Sequence, residues 1–184
     1  MFTKLCTAQE AAALVKDDDF LVCGGNMNSC LAEEICIALE ERFKAEGHPR
    51  NMTIMSGSGV GDMGPVGGVE RGFEHFAHEG MIKRVIVGHN GSNHTIMQMQ
   101  QDLKVESYNF PQGVIEHMFR SRAKGLDVEL SRVGIGTFVD PRLEGGKCNA
   151  ITKEELVDML LIGMHLIGLR YESGEYFIAD LIMS

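Results

Sequence analysis

The sequence has no tryptophan, three tyrosines and four prolines, and only 7% of its 184 residues are aromatic. A core short of rings must be filled by aliphatic and sulfur side chains, and 12 methionines are present as adaptable filler. Positive charge is also scarce: 17 Lys and Arg stand against 26 Asp and Glu, a formal net charge of -9. The basic residues are scattered. Without a basic patch there is no footprint for a phosphate backbone, so no nucleic-acid partner is expected. No apolar run reaches the roughly 18 residues of a membrane helix. The stretch 159–169, MLLIGMHLIGL, is short and is broken by Gly163, His165 and Gly168. The opening MFTKLCTAQE lacks the apolar core of a secretory signal. Cys6, Cys23, Cys30, Cys36 and Cys148 are odd in number and form no C-x-x-C pair. No membrane association, reduced thiols and a cytoplasmic location are therefore expected.

What is abundant is glycine, 22 residues of it, and its placement is ordered. Phe20-Leu21-Val22-Cys23 runs into Gly24-Gly25, Met52-Thr53-Ile54-Met55 into Gly57, and Arg84-Val85-Ile86-Val87 into Gly88. The strand-ending glycines are spaced by 33 and 31 residues, about one strand-helix-strand step. Thr7-Ala8-Gln9-Glu10 is a capping box opening a first helix that reaches Lys16. Ser29 is expected to cap a second helix, with Leu31, Ile35, Leu39 and Phe43 as its apolar stripe and Gly47 and Pro49 at its end. The spacing predicts a strand over 104–109, a helix over 114–124, a strand-edge segment and a turn over 134–141, and a second capping box at Thr152-Lys153-Glu154-Glu155. Short apolar strands alternating with amphipathic helices define an α/β fold with an open, mostly parallel sheet flanked by helices. Ligands in such sheets bind beyond the C-terminal strand ends.

Three motifs invite chemistry and have plainer readings. Gly57-Ser58-Gly59-Val60-Gly61-Asp62 lacks the G-x-G-x-x-G spacing, and Pro65 and Gly67-Gly68 block the helix a dinucleotide loop must open into. His75 and His78 can share a helix face, but no third metal ligand stands at a familiar spacing, so no metal is expected. The Glu33-Glu34, Glu40-Glu41 and Glu154-Glu155 pairs read as solvated helix faces. Cys23 reads as a small buried strand residue. Gly24-Gly25-Asn26 precedes the second helix, where backbone N–H groups can receive a carboxylate, although a tight turn also explains the glycines. Gln112 lies between Pro111 and Gly113, which specify the turn without it. Its amide offers donors and an acceptor suited to a carbonyl or carboxylate; a buried structural glutamine is the alternative.

Four ordered segments then identify a relationship: GGNMNSCLAEEICIALEERFKAEGHPRNMTIMSGSGVGD, GFEHFAHEGMIKRVIVGH, KVESYNFPQGVIEHMFR and VGIGTFVDPRLEGGKCN. They resemble the N-terminal half of family I CoA-transferases, in the acetate/propionate branch, over roughly residues 5–158. The resemblance implies a first-half (alpha) domain over 1–158, with 159–184 as a divergent segment of the same domain. It implies transfer of coenzyme A from an acyl-CoA to a carboxylate, with CoA as substrate and no permanently bound cofactor. Gln112 matches the glutamine of the P-Q-G motif that lines the acyl and carboxylate pocket. Gly24 and Gly25 match the first strand-to-helix turn, and Gly136, Thr137 and Phe138 match a segment bordering the same pocket. The glutamate nucleophile of the family lies in the second half, so no catalytic residue is expected here and a second-half chain is the expected partner. The other expectation is a non-catalytic module that self-associates.

Overall fold

The computed structural model describes residues 5–62, 70–126, 128–149 and the strand Phe177–Ile178. The elements run α1 (Ala8–Ala12), β1 (Phe20–Val22), α2 (Glu33–Glu46), β2 (Met52–Ser56), a 3-10 helix (Gly72–Phe76), β3 (Ile82–Val87), α3 (His94–Gln101), β4 (Glu106–Asn109) and α4 (Gln112–Ala123). A small antiparallel pair, β5 (Leu130–Ser131) and β6 (Phe177–Ile178), follows. The second capping box and the boundary at 158 lie outside the described residues.

The main sheet has the order β1-β2-β3-β4, and every pairing is parallel. The expected parallel α/β architecture is therefore present. All five residues of β2 are buried, as a central strand covered on both faces requires. Alternate residues serve the two faces. Ile54, Val85 and Val87 pack with Leu39 of α2, Phe73 and Phe76 of the 3-10 helix, and Ile96 and Met99 of α3. Met55, Ile86 and Tyr108 pack with Val114, Ile115 and Met118 of α4 and with Val139. Methionine supplies bulk in both layers, as the missing tryptophan requires.

Local signals account for most boundaries. Thr7 and Glu10 form the capping box reciprocally, although α1 stops at Ala12 rather than Lys16. Gly47 closes α2 in the left-handed conformation at φ 74, its N–H bonded to Phe43 O at 2.8 Å. Two expectations are corrected. Ser29 does not cap α2, which starts at Glu33 after Ala32 without a side-chain cap. Ser29 instead forms a bridge with Asn26, two backbone hydrogen bonds of 2.9 and 3.0 Å. Residues 134–141 contain the expected turn, but the expected strand edge is also turns and bends. The chain reaches the sheet later, where Lys147 bridges antiparallel to Tyr108. Among the described residues, no helix is long and apolar enough to cross a membrane.

Candidate functional site at the strand exits

The four strands leave the sheet on the same side. β2 exits into Gly57, β3 into Gly88, and β4 into Phe110-Pro111-Gln112. A Cβ on Gly88 would overlap the Gly57 carbonyl oxygen and would stand 3.4 Å from Gln112 Cα. A Cβ on Gly57 would overlap Glu116 Oε1 and would stand 3.8 Å from Gln112 Cγ. The two glycines thus let the first turn of α4 sit directly on the exits of β2 and β3. Phe110 N–H donates to Val87 O at 3.2 Å, and Asn109 Nδ2 donates to the same oxygen at 2.9 Å, fixing the approach to the turn. Pro111 is the N-cap of α4 at φ -54 and ψ 131, and its carbonyl accepts from Val114 and Ile115.

Gln112 opens the helix two residues earlier than its periodicity indicates. The side chain is exposed, and its amide has no hydrogen-bond partner among the described residues. The free N–H groups of the first turn and the positive end of the helix dipole lie beside it. This is a surface that can hold a carbonyl or carboxylate oxygen. Glu116, one turn further along α4, was not singled out by sequence. Its relation to Gln112 is an ordinary i, i+4 spacing, and only the fold lays its carboxylate over Gly57.

The remaining strand exits are stitched to this surface. In the stretch after β2, Gly59 and Gly61 face the 88–93 loop. A Cβ on Gly59 would overlap Ser92 Oγ, and one on Gly61 would stand 2.5 Å from Asn93 Nδ2. Val60 between them is buried, and its carbonyl accepts from Phe73 N–H at 3.0 Å and Asn93 Nδ2 at 2.8 Å. The alternating glycines Gly59 and Gly61 are therefore close-packing positions. Ser58 Oγ donates to Asn26 Oδ1 at 2.9 Å, and Met27 N–H donates to Gly59 O at 2.8 Å.

Gly24, Gly25 and Asn26 follow β1 directly, with Cys23 N–H still bonded to Met55 O. Six residues, 27–32, separate them from α2, so they are not at its N-terminus and their N–H groups do not form its anion site. Gly25 has φ 119, and a Cβ there would stand 2.9 Å from Leu31 Cδ2. Gly136, Thr137 and Phe138 are exposed and lie on the turns beside β4. Gly136 has φ 77 and donates its N–H to Asp140 Oδ2 at 2.8 Å. Phe138 O accepts from Gly146 N–H, and Gly146 O accepts from Asn109 N–H at 2.7 Å. That relay ties the Gly136–Phe138 turn to the end of β4, three residues before Gln112. Asp140 is buried, and its hydrogen bonds from Arg142, helped by the Gly136 N–H, hold its carboxyl well below the usual carboxylate range.

His75 and His78 are engaged elsewhere. His75 Nδ1 lies 2.7 Å from Glu40 Oε2 and Nε2 lies 3.1 Å from Glu33 Oε1, while His78 Nε2 lies 2.7 Å from Glu40 Oε1. Lys44 Nζ adds a 2.6 Å ion pair to Glu40. Glu33 and Glu40 are thus not merely a solvated helix face: Glu40 is 7% exposed and Glu33 also accepts from Gly72 N–H. Burial alone would raise the Glu40 pKa, but the bonds from Lys44, His78 and His75 outweigh it and bring it down to about 2. Burial opposes charge on His75, and the bonds to Glu40 and Glu33 raise its pKa nonetheless. Among the described residues no group of three or more His, Cys, Asp or Glu is arranged to hold a metal ion. Cys23 is a partly buried thiol pushed up to about 11 by burial, the opposite of an activated nucleophile.

Comparison with known proteins gives the relationship. No family model matches the chain. The acetate CoA-transferase YdiF of Escherichia coli (strain K12) is 37% identical over 155 residues, covering 84% of this chain and 28% of that protein. The caffeate CoA-transferase of Acetobacterium woodii is 36% identical, covering 85% of this chain and 29% of its own length. The alpha subunit of the Escherichia coli (strain K12) acetate CoA-transferase is 24% identical over 90% of this chain and 71% of the subunit. The crystal structure of the acyl-CoA transferase YdiF from E. coli O157:H7, in a thioester complex with CoA, superposes with a TM-score of 0.72 at 36% identity. It is matched over 80% of this chain and 28% of that one. The fold and the sequence together define a CoA-transferase module. The matches indicate a family I CoA-transferase, and the chain spans 28% and 29% of the length of the first two relatives.

Proposed function

We propose that the chain is the alpha half of an acyl-CoA:carboxylate CoA-transferase of the acetate/propionate type. It supplies the acyl and carboxylate pocket, and a second-half chain supplies the glutamate nucleophile. The observation that carries this reading is the exposed Gln112 amide, unpartnered among the described residues, on a strand-exit surface shaped by Gly57 and Gly88. The relative named as an alpha subunit supports a two-chain arrangement.

In this reading the second-half glutamate attacks the thioester carbonyl and the CoA thiolate leaves, forming a mixed anhydride. The thiolate then attacks the glutamyl carbonyl and releases the first acid as its carboxylate. The resulting glutamyl-CoA thioester passes CoA to the acceptor acid by the reverse steps. Gln112 donates from its amide to the oxygen whose charge changes, and the first turn of α4 adds its dipole. Gly24, Gly25 and Asn26 close one side of the pocket, and Gly136, Thr137 and Phe138 the other. Acyl-CoA and a small carboxylate are the ligands, in the cytoplasm. The test is transfer from propionyl-CoA to acetate by the purified chain, alone and with a second-half chain. Turnover only in the mixture supports the reading; turnover by the chain alone sinks it.

One observation favours a second reading, an assembly module. β1 exposes Phe20 at 38% and Val22 at 49% on the α4 side of the sheet. With Phe119, Arg122 and Ala123 they line a groove of about 470 Å³. A second copy seated there would give a dimer in a sizing experiment, with no transfer in any mixture.

A further inference from the structure

We infer that Glu116 is a specificity residue that excludes acids carrying a second negative charge, so that the site takes monocarboxylates with uncharged tails. The inference rests on the pocket reading of Gln112 above. The Glu116 carboxylate and the Gln112 side chain converge on the same point: a Cβ on Gly57 would overlap Glu116 Oε1 and lie 3.8 Å from Gln112 Cγ. Glycine at 57 is what leaves room for that carboxylate over the strand exit. Glu116 is exposed and forms no ion pair among the described residues. An acid held by the Gln112 amide at the first turn of α4 extends its tail within a few ångströms of this charge. One carboxylate is tolerated there because the amide and the helix N-terminus attract it. A second carboxylate meets the Glu116 charge away from that amide and helix end. Like charges held close together beside a protein surface disfavour binding by roughly tenfold.

The test uses the full chain and two four-carbon acids, butyrate and succinate, which differ by the second carboxylate. Each is titrated against the isotope-labelled chain while the Gln112 side-chain amide and the Gly57 amide are followed by NMR. The expected result is butyrate binding about tenfold tighter than succinate. Glu116→Gln should raise succinate affinity by about that factor and butyrate affinity by less, and higher salt should narrow the wild-type gap. Butyrate binding with the same preference in Glu116→Gln overturns the inference and leaves the pocket reading standing. Movement of neither signal by either acid overturns the pocket reading and this inference with it. A collapsed amide spectrum in the variant is checked against Glu116→Asp, which keeps the charge and must keep the preference.

Discussion

Replacing Glu40 by alanine tests the polar network that replaced the expected solvated face. Glu40 is 7% exposed and takes bonds from three cations or potential cations: Lys44 at 2.6 Å, His75 at 2.7 Å and His78 at 2.7 Å. Removing it strands His75, itself 7% exposed, beside Glu33 alone. Breaking a buried pair from one side costs about 3–5 kcal/mol. Lys44 and His78 are 57% and 31% exposed and can turn to water, so the lower end applies, about 3 kcal/mol. For a chain of this size that is a fall in Tm of roughly 6–12 °C. Urea unfolding should show a lower midpoint with an unchanged slope. The pH dependence carries the sign. Glu40 has its pKa lowered from 4.5 to about 2, so its contribution is full above 4.5 and is lost as pH falls toward 2. His75 has its pKa raised from 6.5, so its contribution is full below 6.5 and is lost as pH rises through the higher folded value. Wild-type stability from this network should peak between about 4.5 and 6.5, and Glu40→Ala should flatten that peak. A destabilisation below about 1 kcal/mol, or an unchanged pH profile, would refute the reasoning.

Three further outcomes follow from the site. Gly88→Ala should cost about 1–3 kcal/mol in a thermal melt, because its Cβ would meet the Gly57 carbonyl and crowd Gln112. The same variant should displace the Gln112 amide resonance. Gln112→Ala should leave the melting temperature within about 1 °C, since the side chain is exposed, while reducing transfer in the reconstituted enzyme by roughly 10²-fold. Asp140→Asn should loosen the Gly136–Phe138 turn and lower stability by about 1–3 kcal/mol, read by urea unfolding and by faster amide exchange at Gly136.

The apolar runs into Gly24, Gly57 and Gly88 made the parallel sheet legible, because strand and strand-end signals are both local. The Thr7 cap, the Gly47 stop and the Pro111-Gln112-Gly113 turn were readable for the same reason. The start of α2 was not. Ser29 has the right chemistry for a cap, but the 26–29 bridge uses its backbone, and left-handed residues at Met27 and Cys30 hold the loop off the helix. The alternating glycines after β2 looked like a ligand loop because their cause, contact with Ser92 and Asn93, lies some 30 residues away. Distance in sequence also hid the pairing of Glu33 and Glu40 with His75 and His78, separations of 35 to 42 residues. Glu116 stayed silent because it needs Gly57 beneath it before its position means anything.

This chain is proposed to shape the acyl site while another chain carries the nucleophile. Mass spectrometry of the chain mixed with a second-half chain and acyl-CoA, quenched during turnover, tests it directly. The CoA thioester adduct should form on a glutamate of the second-half chain and not on this one. An adduct on any glutamate of this chain, Glu116 above all, would contradict it.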